Sequence, residues 1–147
     1  MRITQEACNA IRIVYYLAVQ DKKLSAKQVS EGIGVSLRFS LKILRKLILC
    51  GIARSYKGMK GGYMLNRRPE EISVGEIIEV IDGPINILRT LGIPSEYQKS
   101  NEDLDRPFQN YMSRVNNNLR CELYNETLAL WMIKSISIKG NPPFIGA

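Results

Sequence analysis

The sequence predicts a mainly α-helical fold with one small β-hairpin, and three observations carry that expectation. Apolar residues recur at three- and four-residue spacing over most of the chain. A Ser or Thr stands just before several of these periodic runs, where its hydroxyl can cap a helix. The pattern is interrupted at Lys57-Gly58-Met59-Lys60-Gly61-Gly62, a glycine-rich turn between two short alternating segments.

The first helix follows Thr4, with Ala7, Ala10, Ile11, Val14, Leu17 and Ala18 on one face, and Asp21-Lys22-Lys23 ends it. Ser25 and Gln28 have the spacing of a capping box and open a short second helix with Val29 and Ile33 inward. Gly32-Ile33-Gly34 breaks that helix, and Ser36 caps a third. At about 100° per residue, Leu37, Leu41, Leu44 and Ile48 share one face of the third helix, widened by Ile43 and Leu47. Arg38, Lys42 and Arg45 then fall on the opposite face, flanked by Phe39 and Lys46. Gly51 closes the helix as its C′ residue. Two short helices joined by a tight glycine turn, the second one basic, form a helix-turn-helix pattern, and a hairpin of 52–56 and 63–65 adds a wing.

Past the wing, Ser73 and Glu76 have capping-box spacing before a helix that buries Val74, Ile77, Ile78 and Ile81 and stops at Asp82-Gly83-Pro84. The polar, broken stretch from Gly92 to Pro107 reads as a mobile loop. One long helix is expected from Phe108 to Ile136. Phe108, Met112, Val115, Leu119, Leu123 and Leu130 lie along it, with Tyr111, Tyr124, Leu128, Trp131 and Met132 making a second apolar side. A helix apolar on two sides packs on its own domain and on a second body, so these residues are candidates for dimerisation. The expected organisation is a DNA-binding domain over 1–83, a connecting helix end and loop over 84–107, a dimerisation helix over 108–139 and a tail over 140–147.

Charge narrows the function. The net charge is +7, but residues 1–68 hold 14 Lys/Arg against three acids, whereas residues 69–147 hold seven against 11. The first half carries the footprint of a polyanion binder and the second does not. Ser36, Arg38, Phe39, Lys42, Arg45 and Lys46 on the basic helix, with Arg54, Lys57 and Lys60 on the wing, are the candidate contacts to double-stranded DNA. A basic helix fits the major groove, and a narrow lysine-tipped hairpin reaches the adjacent groove or the phosphates. Histidine is absent and the three cysteines are far apart, which argues against nucleophile–base catalysis and a structural zinc site. An enzyme is not expected. No apolar run is long enough to span a bilayer and the N-terminal residues lack signal-peptide character, so a cytoplasmic protein without membrane contact is expected.

The first half also resembles the Rrf-two family of bacterial winged-helix regulators, which includes the iron–sulfur cluster regulator, the nitric-oxide-sensing repressor and the cysteine-metabolism repressor. The likeness runs from Met1-Arg2-Ile3-Thr4 to Asp82-Gly83. It rests on Gly34-Val35-Ser36, Leu44-Arg45-Lys46-Leu47, Gly51-Ile52, the wing Lys57-Gly58-Met59-Lys60-Gly61-Gly62-Tyr63 and Ile72-Ser73-Val74-Gly75-Glu76-Ile77-Ile78. The resemblance implies a homodimeric transcription regulator, a repressor by operator occlusion, with the last helix as the dimer element. The segment Phe39-Ser40-Leu41-Lys42 departs from the family's usual Tyr-Leu-Glu-Gln, which implies a different operator. Cluster-binding members carry three cysteines in the loop before the long helix, where this chain has none, so no iron–sulfur cofactor is expected. Cys8 alone stands where some relatives place a ligand, which leaves a redox- or metal-responsive regulator as one alternative. A winged protein-interaction module without specific DNA binding is the other. Cys50 is expected near the buried arc of the third helix, as a small apolar side chain.

Overall fold

The computed structural model describes residues 2–87 and 102–137. Helix α1 (Gln5–Gln20) begins where Thr4 Oγ1 accepts from the Ala7 N–H at 3.1 Å. It buries Ala7, Ala10, Ile11, Val14, Leu17 and Ala18, with Ile13 also enclosed. Asp21 ends it in the left-handed region (φ 44), one of the few side chains that tolerates this conformation. Helix α2 (Ala26–Ile33) opens on the complete capping box of Ser25 and Gln28 and ends at Gly34, φ 72. Arg12 on α1 reaches the Ile33 carbonyl and fixes the end of α2. Helix α3 (Leu37–Leu49) starts with Ser36 Oγ accepting from the Phe39 N–H, and Gly51 takes the positive φ that turns the chain out of it.

Strands β1 (Ala53–Tyr56) and β2 (Gly62–Leu65) pair antiparallel, Ala53 opposite Leu65 and Tyr56 opposite Gly62. The hairpin is held at both ends. At its base the Ile52 N–H donates to the Leu47 carbonyl at 2.9 Å, so the wing is bonded to the end of α3. Farther along, Leu24 and Tyr63 exchange two backbone hydrogen bonds of 3.1 and 2.7 Å, which tie β2 to the turn between α1 and α2. That close approach dictates glycine at 62. A Cβ there would lie 2.7 Å from the Leu24 carbonyl oxygen.

A 3₁₀ turn at Pro69–Glu71 leads to α4 (Val74–Asp82), followed by α5 (Glu102–Asn125) and α6 (Leu128–Ser137). One core joins these elements: Ile13, Val14 and Leu17 of α1 meet Ile43, Leu44 and Leu47 of α3, Ile77 and Ile78 of α4, and Leu128 of α6. The Thr4 hydroxyl and N–H both donate to Asp82, so the start of α1 is clamped to the end of α4.

Several expectations are corrected. The buried stripe of α3 is Ser40, Ile43, Leu44 and Leu47, while Leu37 is exposed and Leu41 and Ile48 are half-buried. Leu37 belongs to the first turn, outside the part of the helix that meets the core. Ser73 caps α4 by accepting from the Glu76 N–H, but Glu76 does not return the bond. Its carboxylate takes the Arg67 guanidinium in a two-pronged pair at 2.6 and 2.8 Å. Residues 102–107 are helical rather than looped, and Pro107 lies inside α5. Residues 92–101 of the expected loop and the tail at 140–147 lie outside the described residues.

The expected single helix over 108–136 is two helices. Residues 126 and 127 leave helical geometry, and Thr127 bridges Ser73: Val74 N–H donates to the Glu126 carbonyl at 2.9 Å, and Leu128 N–H to the Ile72 carbonyl at 3.1 Å. This short bridge seats Leu128 fully in the core and turns α6 back over α1. There Trp131 meets Tyr15 edge to face, and the Tyr15 hydroxyl bonds the Ser135 Oγ.

Helix α5 is fastened to α4 mainly through Glu79. Arg120 donates to its carboxylate at 3.0 and 3.2 Å, Tyr124 donates its hydroxyl, and the Ile85 N–H donates at 2.9 Å. Burial alone would raise the Glu79 pKa. These donors outweigh it and hold the group at about 2, below its ordinary 4.5. A depressed carboxylate contributes stability that is complete above its unfolded pKa and is lost as pH falls through the folded one. Glu79→Gln should therefore lower the denaturant midpoint at pH 7 and flatten its fall between pH 4.5 and 2. An equal loss at pH 7 and pH 2 would show that the carboxylate's charge is not what holds α5.

Candidate nucleic-acid interface

Burial of Ser40, Ile43, Leu44 and Leu47 decides which side chains of α3 face outward. Arg38, Lys42 and Arg45 are exposed, with Ser36 and Leu37 exposed at the start of the helix. Phe39 is half-buried and packs against the core with part of its ring at the surface. Ser36, Arg38, Phe39, Lys42, Arg45 and Lys46 line a single concavity of about 680 Å³ along this face. The helix thus gathers all six of its candidate contacts on one surface.

The wing places the other three candidates. Lys57 and Lys60 are exposed in the turn between β1 and β2, beside Met59, the most exposed large apolar side chain among the described residues. Glycine at 61 closes that turn, since a Cβ there would lie 2.2 Å from the Tyr56 carbonyl oxygen. Arg54 is exposed on β1, its guanidinium 5.1 Å from the centre of the Tyr56 ring, and the Lys23 ammonium lies 4.4 Å from the same ring. Tyr56 therefore holds two cations at the base of the wing.

Two residues of this surface escape a reading of the sequence. Lys23 reaches the wing because its neighbour Leu24 pairs with Tyr63, a contact between distant segments. Glu6, on the first turn of α1, lies 2.8 Å from Lys42 Nζ and 2.6 Å from Lys46 Nζ. These two lysines hold its carboxyl below the ordinary carboxylate range against the opposing effect of burial. The pair spans so much sequence that no local spacing announces it.

The C-terminal candidates divide into two sets. Leu119 and Leu123 pack against the core of their own domain, as do Trp131 and Met132. Phe108, Tyr111, Tyr124, Leu130 and Ile133 are exposed, while Met112 and Val115 are half-buried. The three cysteines sit on separate elements. Cys8 is half-buried on α1, Cys50 is exposed just past α3, and Cys121 is exposed on α5. The expected burial of Cys50 is corrected, because the residue lies beyond the last turn of α3 that packs on the core. The described residues contain no group of three or more His, Cys, Asp or Glu able to hold a metal. An iron–sulfur cluster needs about four ligands, mainly thiolates, at one place. Among the described residues of the chain, no such set is gathered at one place.

A tri-helical core, a basic third helix and a two-stranded wing define a winged helix-turn-helix domain, extended here by two C-terminal helices. The model of a family described as "Rrf2: Iron-dependent Transcriptional regulator" matches residues 3–132. The chain belongs to the Rrf2 family of transcriptional regulators. It is 32% identical over 90 residues to the HTH-type transcriptional regulator NsrR of Shouchella clausii, a match covering 60% of each chain. It is 29% identical over 94 residues to IscR of Aliivibrio salmonicida, covering 63% of this chain and 56% of that one. The aligned region thus spans less than two thirds of these relatives' length. Among solved structures, CymR of B. subtilis, the global cysteine regulator, superposes with a TM-score of 0.69 at 22% identity, covering 88% of this chain and 94% of that one. The oxidised form of CymR from Staphylococcus aureus gives 0.63 at 27% identity, covering 87% and 93%. No helix among the described residues is long and apolar enough to cross a membrane.

Ser40 supplies a test of how α3 is seated. Its hydroxyl is fully buried and has no hydrogen-bond partner among the described residues. An unpaired buried hydroxyl costs roughly 1–3 kcal/mol. Ser40→Ala should therefore raise stability by about 1 kcal/mol in chemical denaturation. A loss of stability would mean that the α3 stripe is packed differently.

Proposed function

We propose that this chain is a homodimeric, sequence-specific DNA-binding regulator that represses by occluding a palindromic operator. The observation carrying the reading is the set of exposed cations Arg38 and Arg45 on α3 and Lys57 and Lys60 on the wing, two elements bonded to one another through Ile52 and Leu47. In this account α3 enters the major groove. Arg38 reads base edges, Phe39 meets a thymine methyl or a sugar, and Ser36 and Arg45 bond phosphates. Lys57 and Lys60 follow the adjacent groove, with Arg54 on the flanking backbone. Family membership supports the regulatory role, and operator occlusion is the simplest action of a dimer seated on its operator.

Dimerisation would cover Phe108, Tyr111, Leu130 and Ile133, apolar side chains exposed on α5 and α6. Leu119 and Leu123 contribute by seating α5 on its own domain. DNA binding in this account needs no iron–sulfur cluster, since the three thiols are scattered over three elements. Protein purified without oxygen from iron-supplemented cells should lack stoichiometric iron and sulfide and still bind its operator. A brown, cluster-loaded preparation that loses binding on oxidation would contradict this.

Selection of bound duplexes from a random pool supplies the operator, and substitutions then separate the roles. Arg38→Ala should cost about 1–3 kcal/mol on the selected duplex and less on random DNA. Lys60→Ala should weaken both similarly and reduce the salt slope by about one. The selected site should be palindromic, and the protein should sediment at twice the mass of its 16.7 kDa chain. A stable monomer, or a pool that yields no common sequence, would sink the proposal.

A further inference from the structure

The cations of α3 are not equally available. Arg38 and Arg45 are exposed and take part in no ion pair among the described residues. Lys42 and Lys46 both close on Glu6, at 2.8 and 2.6 Å, one on each carboxylate oxygen. Glu6 is anchored for this task. It lies in the first turn of α1, two residues after the Thr4 cap that is itself clamped to Asp82. Its side chain is only 17% exposed, against 57% for Lys42 and 36% for Lys46. The carboxylate is thus the fixed member, and the lysines are the arms that swing.

A carboxylate that receives two ammonium groups on its two oxygens offers them what a DNA phosphate would. Non-specific DNA affinity comes almost wholly from cations that displace counterions along the backbone. A lysine already neutralised inside the protein contributes to that displacement only after its internal pair opens. The exchange is close to even when a phosphate stands within reach of the same arm, and unfavourable when none does. On a duplex seated correctly by base contacts, the phosphates lie where both lysines can exchange. On a duplex bound out of register the phosphates are met at poorer geometry, near enough for a free lysine but not to draw one away from Glu6.

We propose that Glu6 is a specificity-determining residue: an internal surrogate for phosphate that withholds Lys42 and Lys46 from non-cognate DNA. The inference rests on the DNA-binding reading above and deepens it, assigning part of the operator discrimination to a side chain that touches no base. The Glu6 carboxylate of α1 and the two lysines of α3 then act on random DNA as one net positive charge, and on the operator as two lysines exchanged onto phosphate.

The test is the salt dependence of binding to a random-sequence duplex and to the selected operator, for the full chain and for Glu6→Gln. Gln keeps the shape and removes the charge. The variant should bind random DNA more tightly, with a salt slope steeper by about one to two, since each added phosphate contact contributes roughly 0.9. Operator affinity should rise less, so the ratio of operator to random binding falls. In a Glu6→Gln, Lys42→Gln double variant the added slope should shrink by about one, which assigns the effect to that pair. If Glu6 only positions the lysines or supports α1, Glu6→Gln will weaken operator binding, leave the random-DNA slope unchanged and lower the melting temperature. That result overturns the inference and leaves the DNA-binding reading standing. A parent chain with no salt-dependent DNA binding overturns both.

Discussion

Everything at the proposed interface depends on how one helix is buried. Ile43, Leu44 and Leu47 of α3 are fully enclosed between α1 and the start of the wing. Burying each such side chain stabilises by about 1.5–3 kcal/mol, more than any single surface charge contributes. Apolar burial therefore sets the rotation of α3, and the cations take whatever orientation is left. That orientation is outward, along one face. The wing follows from the same constraint, because β1 leaves the end of α3 through the Ile52–Leu47 bond and cannot reorient independently.

Electrostatics acts inside this frame and modifies it. Counting residues gives the first 68 positions a large positive excess, but the count overstates the charge that a partner meets. Glu6 takes Lys42 and Lys46, Glu76 takes Arg67, and Glu71 takes Arg68. Among the described residues, what remains outside any ion pair on the face of α3 is Arg38 and Arg45, and at the wing Lys57 and Lys60. Arginine at the helix and lysine at the hairpin suit different tasks. The planar guanidinium matches a base edge or phosphate with two bonds, while the ammonium is a point charge suited to a backbone that is followed rather than read.

The sequence makes the local parts legible and hides the distant ones. Caps at Thr4, Ser25, Ser36 and Ser73 depend on residues three positions apart, and each forms as spacing dictates. The wing and its turn are equally local. The break between α5 and α6 is less so: Asn125 and Thr127 are residues that end and start helices, but the apolar periodicity runs on through them. It arises from backbone pairing with Ile72–Val74, some fifty residues away by rough count, which offers those groups a bond that the helix would otherwise supply. The Glu6 pairs, the Thr4–Asp82 clamp and the Glu79–Arg120–Tyr124 cluster are hidden for the same reason. The exchange of Leu37 for Ser40 on the buried face of α3 has another cause. Periodicity gives the stripe within one position either way, and only the neighbouring helices choose.

The account's central claim is that the outward face of α3 and the tip of the wing form one DNA-binding surface, with α5 and α6 facing a second copy. Amide hydrogen exchange of the protein, with and without its selected duplex, tests this most directly. The account predicts added protection over the first half of α3 and over residues 57–61, and unchanged exchange in α5 and α6. Protection confined to α5 and α6, with α3 and the wing unaltered by DNA, would contradict it.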